Sequence, residues 1–527
     1  MRKLTLRKIL LLILLIAVAG FLRFYKLSEY PVQLNHDEIS QLYDTASIVQ
    51  TGKDIYGNFL PLAFPSTGDF KVGHYIYIST IPYLIFGDKE ITIRIAAAFF
   101  GTLTPLAGLL FILALTRNFT ISLFSAGMIA ITPSEIFYSR KSFEGEIGVF
   151  LIFLGLFCLL KGSLYRYIGL ILLAASMYVY TSYTMVVPLI ILLFVLTFRK
   201  KMSFQKLKPI ISSLTFFIIS IIPLTYITFV NEDLRFRAAS VLISQDQNLT
   251  KQLEISQNRT LTFLDYMFNK YLAQLNPTYL FGNGLDFTNQ GLIGMGPLLF
   301  WQLPLVLLGI INLIRINNFS YQKKLLFGLI LIGMIPSAIT FETHSPHRAM
   351  LSFTSLSIIS AFGLYWLSKR SRWILILTIG ILLLNFVYFI HMYTINYPYE
   401  KSQSLHYPFK EVALFAWSQH KKFDKIIIDP TYGQSAPVYG VATHYYLAYY
   451  GKYQPAKFQK DLKINAEGLS LDKFSIRKID WSKDQNLKNT LIIASPWQLP
   501  IKDIEKEKIM KVFSFYDGQE AFYAVAL

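Results

Sequence analysis

Apolar runs of roughly 16 to 24 residues recur from the start of this chain to about residue 393, each near the length at which a helix crosses a bilayer. They fall near 8–24, 91–115, 119–138, 145–162, 165–181, 183–198, 209–230, 291–314, 324–340, 348–367 and 373–393, which predicts about eleven transmembrane helices. A soluble core has no use for so many. With 53% hydrophobic and 16% charged residues, the expected class is a mainly α polytopic membrane protein. The net charge of +18 would suit a nucleic-acid binder if the cations shared one face, but they are spread over short loops between the runs. Nucleic acid is excluded as a partner on that ground, and membrane lipids take its place.

The same loops orient the chain. If the N-terminus is cytoplasmic, that side holds Arg117, Lys161, Arg166, the basic run 199–208, Arg315, Lys323, Lys324, Lys369, Arg370 and Arg372, in segments without an acid. The other side holds Asp37, Glu38, Asp54, Asp69, Glu144, Glu146 and Glu342. The positive-inside rule then predicts a multi-pass plasma-membrane protein whose C-terminal part is extracytoplasmic. Beyond Tyr393 the composition becomes that of a soluble α/β domain, with strands expected at 423–429, 491–494, 509–515 and 521–526 and a helix at 439–450. The expected division is 1–393, a transmembrane domain whose external loop 25–90 carries in-plane helices, and 394–527, an extracytoplasmic α/β domain. The single cysteine, Cys158, excludes an intramolecular disulfide.

Two adjacent acids mark the point where the first run gives way to the external loop. In the stretch 35–44, Asn35 is placed to cap a helix, Glu38 three residues on closes a capping box, and Gly52 is the natural stop. Ile39, Leu42, Tyr43, Ala46 and Val49 share one face, and Asp37, Gln41 and Asp44 share the opposite one, facing a site. Acids at a helix start also favour the backbone dipole, so this motif alone leaves catalysis and capping open. Other external segments add Lys71, Arg94, Arg140 and Lys141, and the hairpin with Glu342, His344, His347 and Arg348. Arg140 and Lys141 also suit headgroup anchoring, and His347 and Arg348 also suit pairing with Glu342.

Carboxylates of this kind serve as general bases, and arginine or lysine hold a phosphate by charge-assisted hydrogen bonds. A transferase working outside the cell lacks nucleotide donors, so the activated bond has to arrive through the membrane, most simply on a lipid-linked phosphosugar. Asp37-Glu38, Thr67-Gly68-Asp69-Phe70-Lys71, Ile93-Arg94 ahead of Phe99-Phe100-Gly101-Thr102, Tyr138-Ser139-Arg140 followed by Glu144, and Pro346-His347-Arg348 together resemble the GT-C glycosyltransferases of family 39 type. Those are the protein O-mannosyltransferases and the aminoarabinose transferases of lipid A, and the similarity covers 1–393.

The resemblance implies transfer of one sugar, with inversion, from a polyprenyl-phosphate donor to an acceptor hydroxyl on a protein, glycolipid or cell-envelope polymer. It places Asp37 and Glu38 as catalytic residues, the first as general base, and lysine or arginine on the donor phosphate, for which Lys71, Arg140 and Arg348 are the candidates. Asp69, Arg94, Glu144 and His347 are further candidates. In the aminoarabinose transferases an acid directly precedes the lysine and prolines follow it, whereas this chain has Asp69-Phe70-Lys71-Val72-Gly73. No metal site is expected from ligand spacing, and the acids leave room for a divalent cation. The rival class, a transporter or flippase of a lipid-linked glycan, predicts charges near the bilayer midplane and internal symmetry, and neither is visible.

Overall fold

The computed structural model describes residues 5–65, 70–199, 207–283, 291–316, 319–434 and 436–527. The chain forms two compact units, Met1–Leu27 with Arg94–Tyr393, and Ser28–Ile93 with Thr394–Leu527.

The first unit is helical, with a helix in each of the eleven expected segments. Among the described residues, four helices are long and apolar enough to cross a membrane: Thr92–Thr116, Ser212–Val230, Met350–Arg370 and Arg372–Glu400. A fifth span is made if Phe119–Ile131 and Pro133–Ser139, bent by 57° at their junction, count together. The bend falls at Thr132-Pro133, where the proline ring disfavours helical geometry in the residue before it and cannot donate to the preceding turn. The run expected to span 291–314 becomes helical only at Gln302.

Burial separates the spans that face neighbours from those that face outward. In an 18-residue apolar stretch of Arg372–Glu400 11% is buried, against 89% in the corresponding stretch of Met350–Arg370. The buried helix is rich in hydroxyls: Thr354, Ser355 and Ser357 each bond a carbonyl one turn back, and the Ser357 hydroxyl also meets Thr132 Oγ1 at 2.7 Å. Helix Gln302–Arg315 closes on it because neither carries a side chain at the crossing. A β-carbon on Gly309 would lie 2.0 Å from the Ile359 carbonyl oxygen, and one on Gly363 would lie 2.2 Å from that of Leu305. Small residues at such crossings let backbones approach and gain dispersion contacts where lipid offers no hydrophobic driving force.

The second unit joins the expected external loop to the C-terminal region. Its seven-stranded sheet runs in the order Ile509–Ser514, Glu520–Ala526, Thr490–Ala494, Lys425–Ile428, Phe474–Arg477, Gly468–Leu471 and Lys463–Asn465. Lys425–Ile428 is parallel to both its neighbours, and the other pairs are antiparallel. The buried strands Ile426–Ile428 and Leu491–Ala494 appear where their apolar runs predict, and the hairpin 509–526 turns at Gly518 with φ 87°. One side of the sheet packs on Ile479, Leu499 and Ile504. On the other, Phe409 meets Tyr432, Tyr446 and Phe522 with ring centroids 5.0, 5.5 and 5.3 Å away. The helix expected over 439–450 begins at Thr443.

Candidate functional site

Helix His36–Thr51, in the second unit, starts as its sequence predicts. The Asn35 side-chain oxygen accepts from the Glu38 N–H at 2.9 Å, and the Asn35 N–H donates to Glu38 Oε2 at 3.1 Å. Gly52 ends the helix in the left-handed conformation, φ 69°, its N–H bonded to the Ile48 carbonyl. The box divides the two acids. Glu38 is 1% exposed and spends its carboxylate on the helix start. The Asp37 side chain is 46% exposed, with Oδ2 3.5 Å from His36 Nε2.

The two-faced reading of this helix needs correction. Ile39, Leu42, Tyr43 and Ala46 are buried, but so are Gln41 and Asp44 on the face expected to look into a site, with Thr45 and Ser47 beside them. The cause lies far along the chain, because helices Thr443–Tyr450 and Pro455–Asp461 pack on this one as well as His74–Phe86. Polar groups come with them: Tyr43 OH donates to the Tyr453 carbonyl at 2.8 Å, and Gln459 Nε2 reaches Ser47 Oγ, Thr51 Oγ1 and the Asp54 carbonyl at 3.1, 3.1 and 2.9 Å. Ahead of the helix, Gln33 Nε2 donates to the His406 carbonyl at 2.5 Å, and the His406 ring sits 4.7 Å from that of His36. Burial, and then the neighbouring His36, push the His406 imidazole down to about 3, so it is neutral at physiological pH.

In the first unit the candidate cations sort into two groups. Arg94 and Arg140 converge on one short segment. Arg140 Nη1 donates to the carbonyls of Leu22 and Arg23 at 3.0 and 3.1 Å and its Nη2 to that of Lys26 at 3.2 Å, while Arg94 Nη1 donates to Leu27 at 3.0 Å. These carbonyls lie at and just past the end of helix Leu6–Phe24, the negative end of its dipole. Arg140 is also 5.6 Å from the Tyr393 ring centroid. Lys141 Nζ stands 4.0 Å above the ring of Phe137, a cation–π contact.

The second group is Arg348 and His347. Arg348 Nη1 pairs with Glu342 Oε2 at 3.1 Å and meets the Ser345 hydroxyl. His347 lies 6.0 Å from the Phe143 ring, which is 5.0 Å from Tyr138. Phe143 thus brings the hairpin before Glu144 against the one that carries Arg348. That second hairpin is fastened from behind by Lys270, whose Nζ donates to the carbonyls of Thr340 and Phe341 at 2.7 and 2.8 Å and to Asp246 Oδ2 at 3.2 Å. Asp69 and the side chain of Lys71 lie outside the described residues. Among the described residues no group of three or more His, Cys, Asp or Glu is arranged to hold a metal ion.

Sequence reasoning missed a charge cluster inside the first unit. Arg23 is fully buried, with Nη1 on the carbonyls of Ala19 and Ala130 at 3.3 and 3.2 Å. Glu146 Oε1 accepts from Thr104 Oγ1 at 3.1 Å, and Glu135 accepts from Thr354 Oγ1. A β-carbon at Gly101 would stand 3.1 Å from both Arg23 Nε and Glu146 Oε1, and 2.4 Å from Ser139 Cβ. The available signal was an arginine inside an apolar run, since such charges persist only with partners.

No family model and no curated protein sequence matches this chain. In three dimensions it is similar to ArnT from Cupriavidus metallidurans, an aminoarabinose transferase of the GT-C fold. The apo crystal structure of that protein gives a TM-score of 0.52 and the structure bound to undecaprenyl phosphate 0.51, each at 12% identity over 97% of both chains. The GT-C fold expected from the sequence is the fold observed, and of the two branches named there the matched structures are those of an aminoarabinose transferase.

Proposed function

We propose that this protein is an integral-membrane glycosyltransferase that moves one sugar from a polyprenyl-phosphate donor to an acceptor hydroxyl on the extracytoplasmic face. The observation that carries this reading is the GT-C fold shared along 97% of both chains with ArnT, one of whose structures holds undecaprenyl phosphate. In the reaction the acceptor oxygen bonds to the anomeric carbon while the bond from that carbon to the phosphate oxygen breaks. One displacement inverts the centre. The hydroxyl proton goes to a base and polyprenyl phosphate departs with the electron pair.

Each role is assigned on a residue's own chemistry. Asp37 is the base, since Glu38 is committed to the helix cap and Asp37 is half exposed. The leaving phosphate gains charge as the sugar departs, so a cation held on it favours the transition state over the ground state. Arg348 and Lys71 take that role. Arg140 joins them through a guanidinium that also holds the end of the first helix. Arg94, Asp69, Glu144 and His347 remain further candidates in this reading, which makes residues 394–527 extracytoplasmic. The test is direct: purified protein is given a polyprenyl-phosphosugar and an acceptor hydroxyl compound. Release of free polyprenyl phosphate together with glycosylated acceptor is expected; intact donor with a series of sugars sinks the proposal.

A further inference from the structure

The first unit contains a cavity far along its helices from the residues discussed above. About 620 Å³ in volume, it opens among the helix ends near Thr116, Leu159, Arg166, Phe198 and Tyr321. Helix Glu144–Lys161 contributes Leu159 to it and Glu144 to its own opposite end, fifteen residues away, or about 22 Å at 1.5 Å per residue. The volume is that of an ordinary ligand pocket. What lines it is unusual for a packing void. Arg117 and Arg166 both border it, and among the described residues no acid lines it and neither guanidinium has a carboxylate partner. The remainder is largely apolar, with Phe194 and Val195 along one wall and the stacked rings of Phe198 and Tyr321, centroids 5.5 Å apart and planes within 10°, along another.

We infer that this cavity is a binding site for an anionic glycerophospholipid, its phosphate between Arg117 and Arg166 and an acyl chain against the aromatic wall. Charge complementarity selects an anion, because two arginines border one cavity whose described lining holds no acid, and a phosphate accepts charge-assisted hydrogen bonds from guanidinium groups. The apolar wall selects a lipid over free phosphate. Basic pockets between membrane helices at the positive-loop end are where anionic headgroups are held in general. A polyprenyl phosphate donor serves chemistry at the other end of these helices, so the occupant assigned here is a resident lipid of the leaflet. That choice of occupant rests on the glycosyltransferase reading, whereas the anion site itself does not.

Native mass spectrometry of the full chain in detergent, titrated with phosphatidylglycerol and with phosphatidylcholine, tests it. Phosphatidylglycerol is expected to bind the parent protein at least about tenfold more tightly than Arg117→Ala/Arg166→Ala, the loss of one or two charge-assisted bonds. Phosphatidylcholine is expected to bind both proteins alike. The double substitution Arg117→Lys/Arg166→Lys should retain the preference for the anionic lipid, and Val195→Trp, which fills the apolar part while leaving both cations, should abolish retention. Equal binding of phosphatidylglycerol to the parent and the alanine protein overturns the proposal. So does displacement by inorganic phosphate at lipid concentrations, which makes it a free-anion site, or by an equimolar polyprenyl phosphate, which makes it a donor site.

Discussion

Asp37 and Glu38 are chemically alike and one residue apart, yet the fold gives them different work, and that difference is measurable. Asp37→Asn keeps shape and hydrogen-bonding capacity but removes the base, so turnover is expected to fall about a hundred to ten thousandfold with donor binding retained. Glu38→Gln keeps an acceptor for the Asn35 N–H and is expected to cost about 1 kcal/mol of stability or less, with most of the turnover preserved. Parental turnover in Asp37→Asn with a dead Glu38→Gln would exchange the roles. The cap itself was legible because it is written in four consecutive residues and closed by a glycine at the end of the helix. The burial of Gln41 and Asp44 was not legible, since helices Thr443–Tyr450 and Pro455–Asp461, which pack on this one, arrive some 400 residues later. His406 supplies a second residue-scale test. Its folded pKa of about 3 is below the ordinary 6.5, so the folded state disfavours the proton. Its contribution to stability is complete above about pH 6.5 and is lost as the pH falls toward 3. His406→Asn, chosen because the residue sits at φ 57° where asparagine is tolerated, should shrink the drop in unfolding temperature between pH 7 and pH 5. An unchanged drop would place the sensitivity elsewhere.

Between elements, the two arginines singled out by sequence hold different things together. Arg140 joins the end of one helix to the carbonyls of another more than a hundred residues earlier, and its removal strands buried acceptors. Arg140→Ala is therefore expected to lose about 1–3 kcal/mol of stability. Among the described residues Arg348 is tied only to its own hairpin, through Glu342 and Ser345. Arg348→Ala should insert and fold normally while turnover drops about a hundredfold, the size found when one charge-stabilising donor is removed. Thermal unfolding and initial rates on the two proteins separate these outcomes; full activity in Arg348→Ala removes it from the site. From sequence both were a cation beside an apolar run, because a carbonyl partner carries no residue signature. The helices were readable from apolar length, but their order of burial was not. Met350–Arg370 has a span-like composition, and only its hydroxyls hint that it lies among other helices. Strands Lys463–Asn465 and Gly468–Leu471 escaped notice for another reason, being three and four residues long with side chains that, apart from the buried Leu471, are exposed or half-exposed and show little alternation.

For the whole chain, orientation rests on charge: the loop at 199–208 is basic, and the residues after 400 are separated from it by an odd number of expected spans. Single cysteines introduced into a Cys158→Ala background report on it. In intact cells an impermeant reagent is expected to label one placed after residue 400 and to spare one in the 199–208 loop; the reverse pattern inverts the topology. The second unit carries a consequence for how the protein is made. Its two chain segments, Ser28–Ile93 and Thr394–Leu527, are separated by about 300 residues. At ordinary synthesis rates the first segment waits roughly 15 to 60 s for its partner to leave the ribosome. During that interval the face of helix His36–Thr51 that Tyr453 and Gln459 will cover has nothing on it. A chain interrupted before residue 394 is therefore an unfinished protein with an open, half-polar helix, the sort of surface that chaperones retain and proteases clear, so the two segments have to be inherited, expressed and trimmed as one.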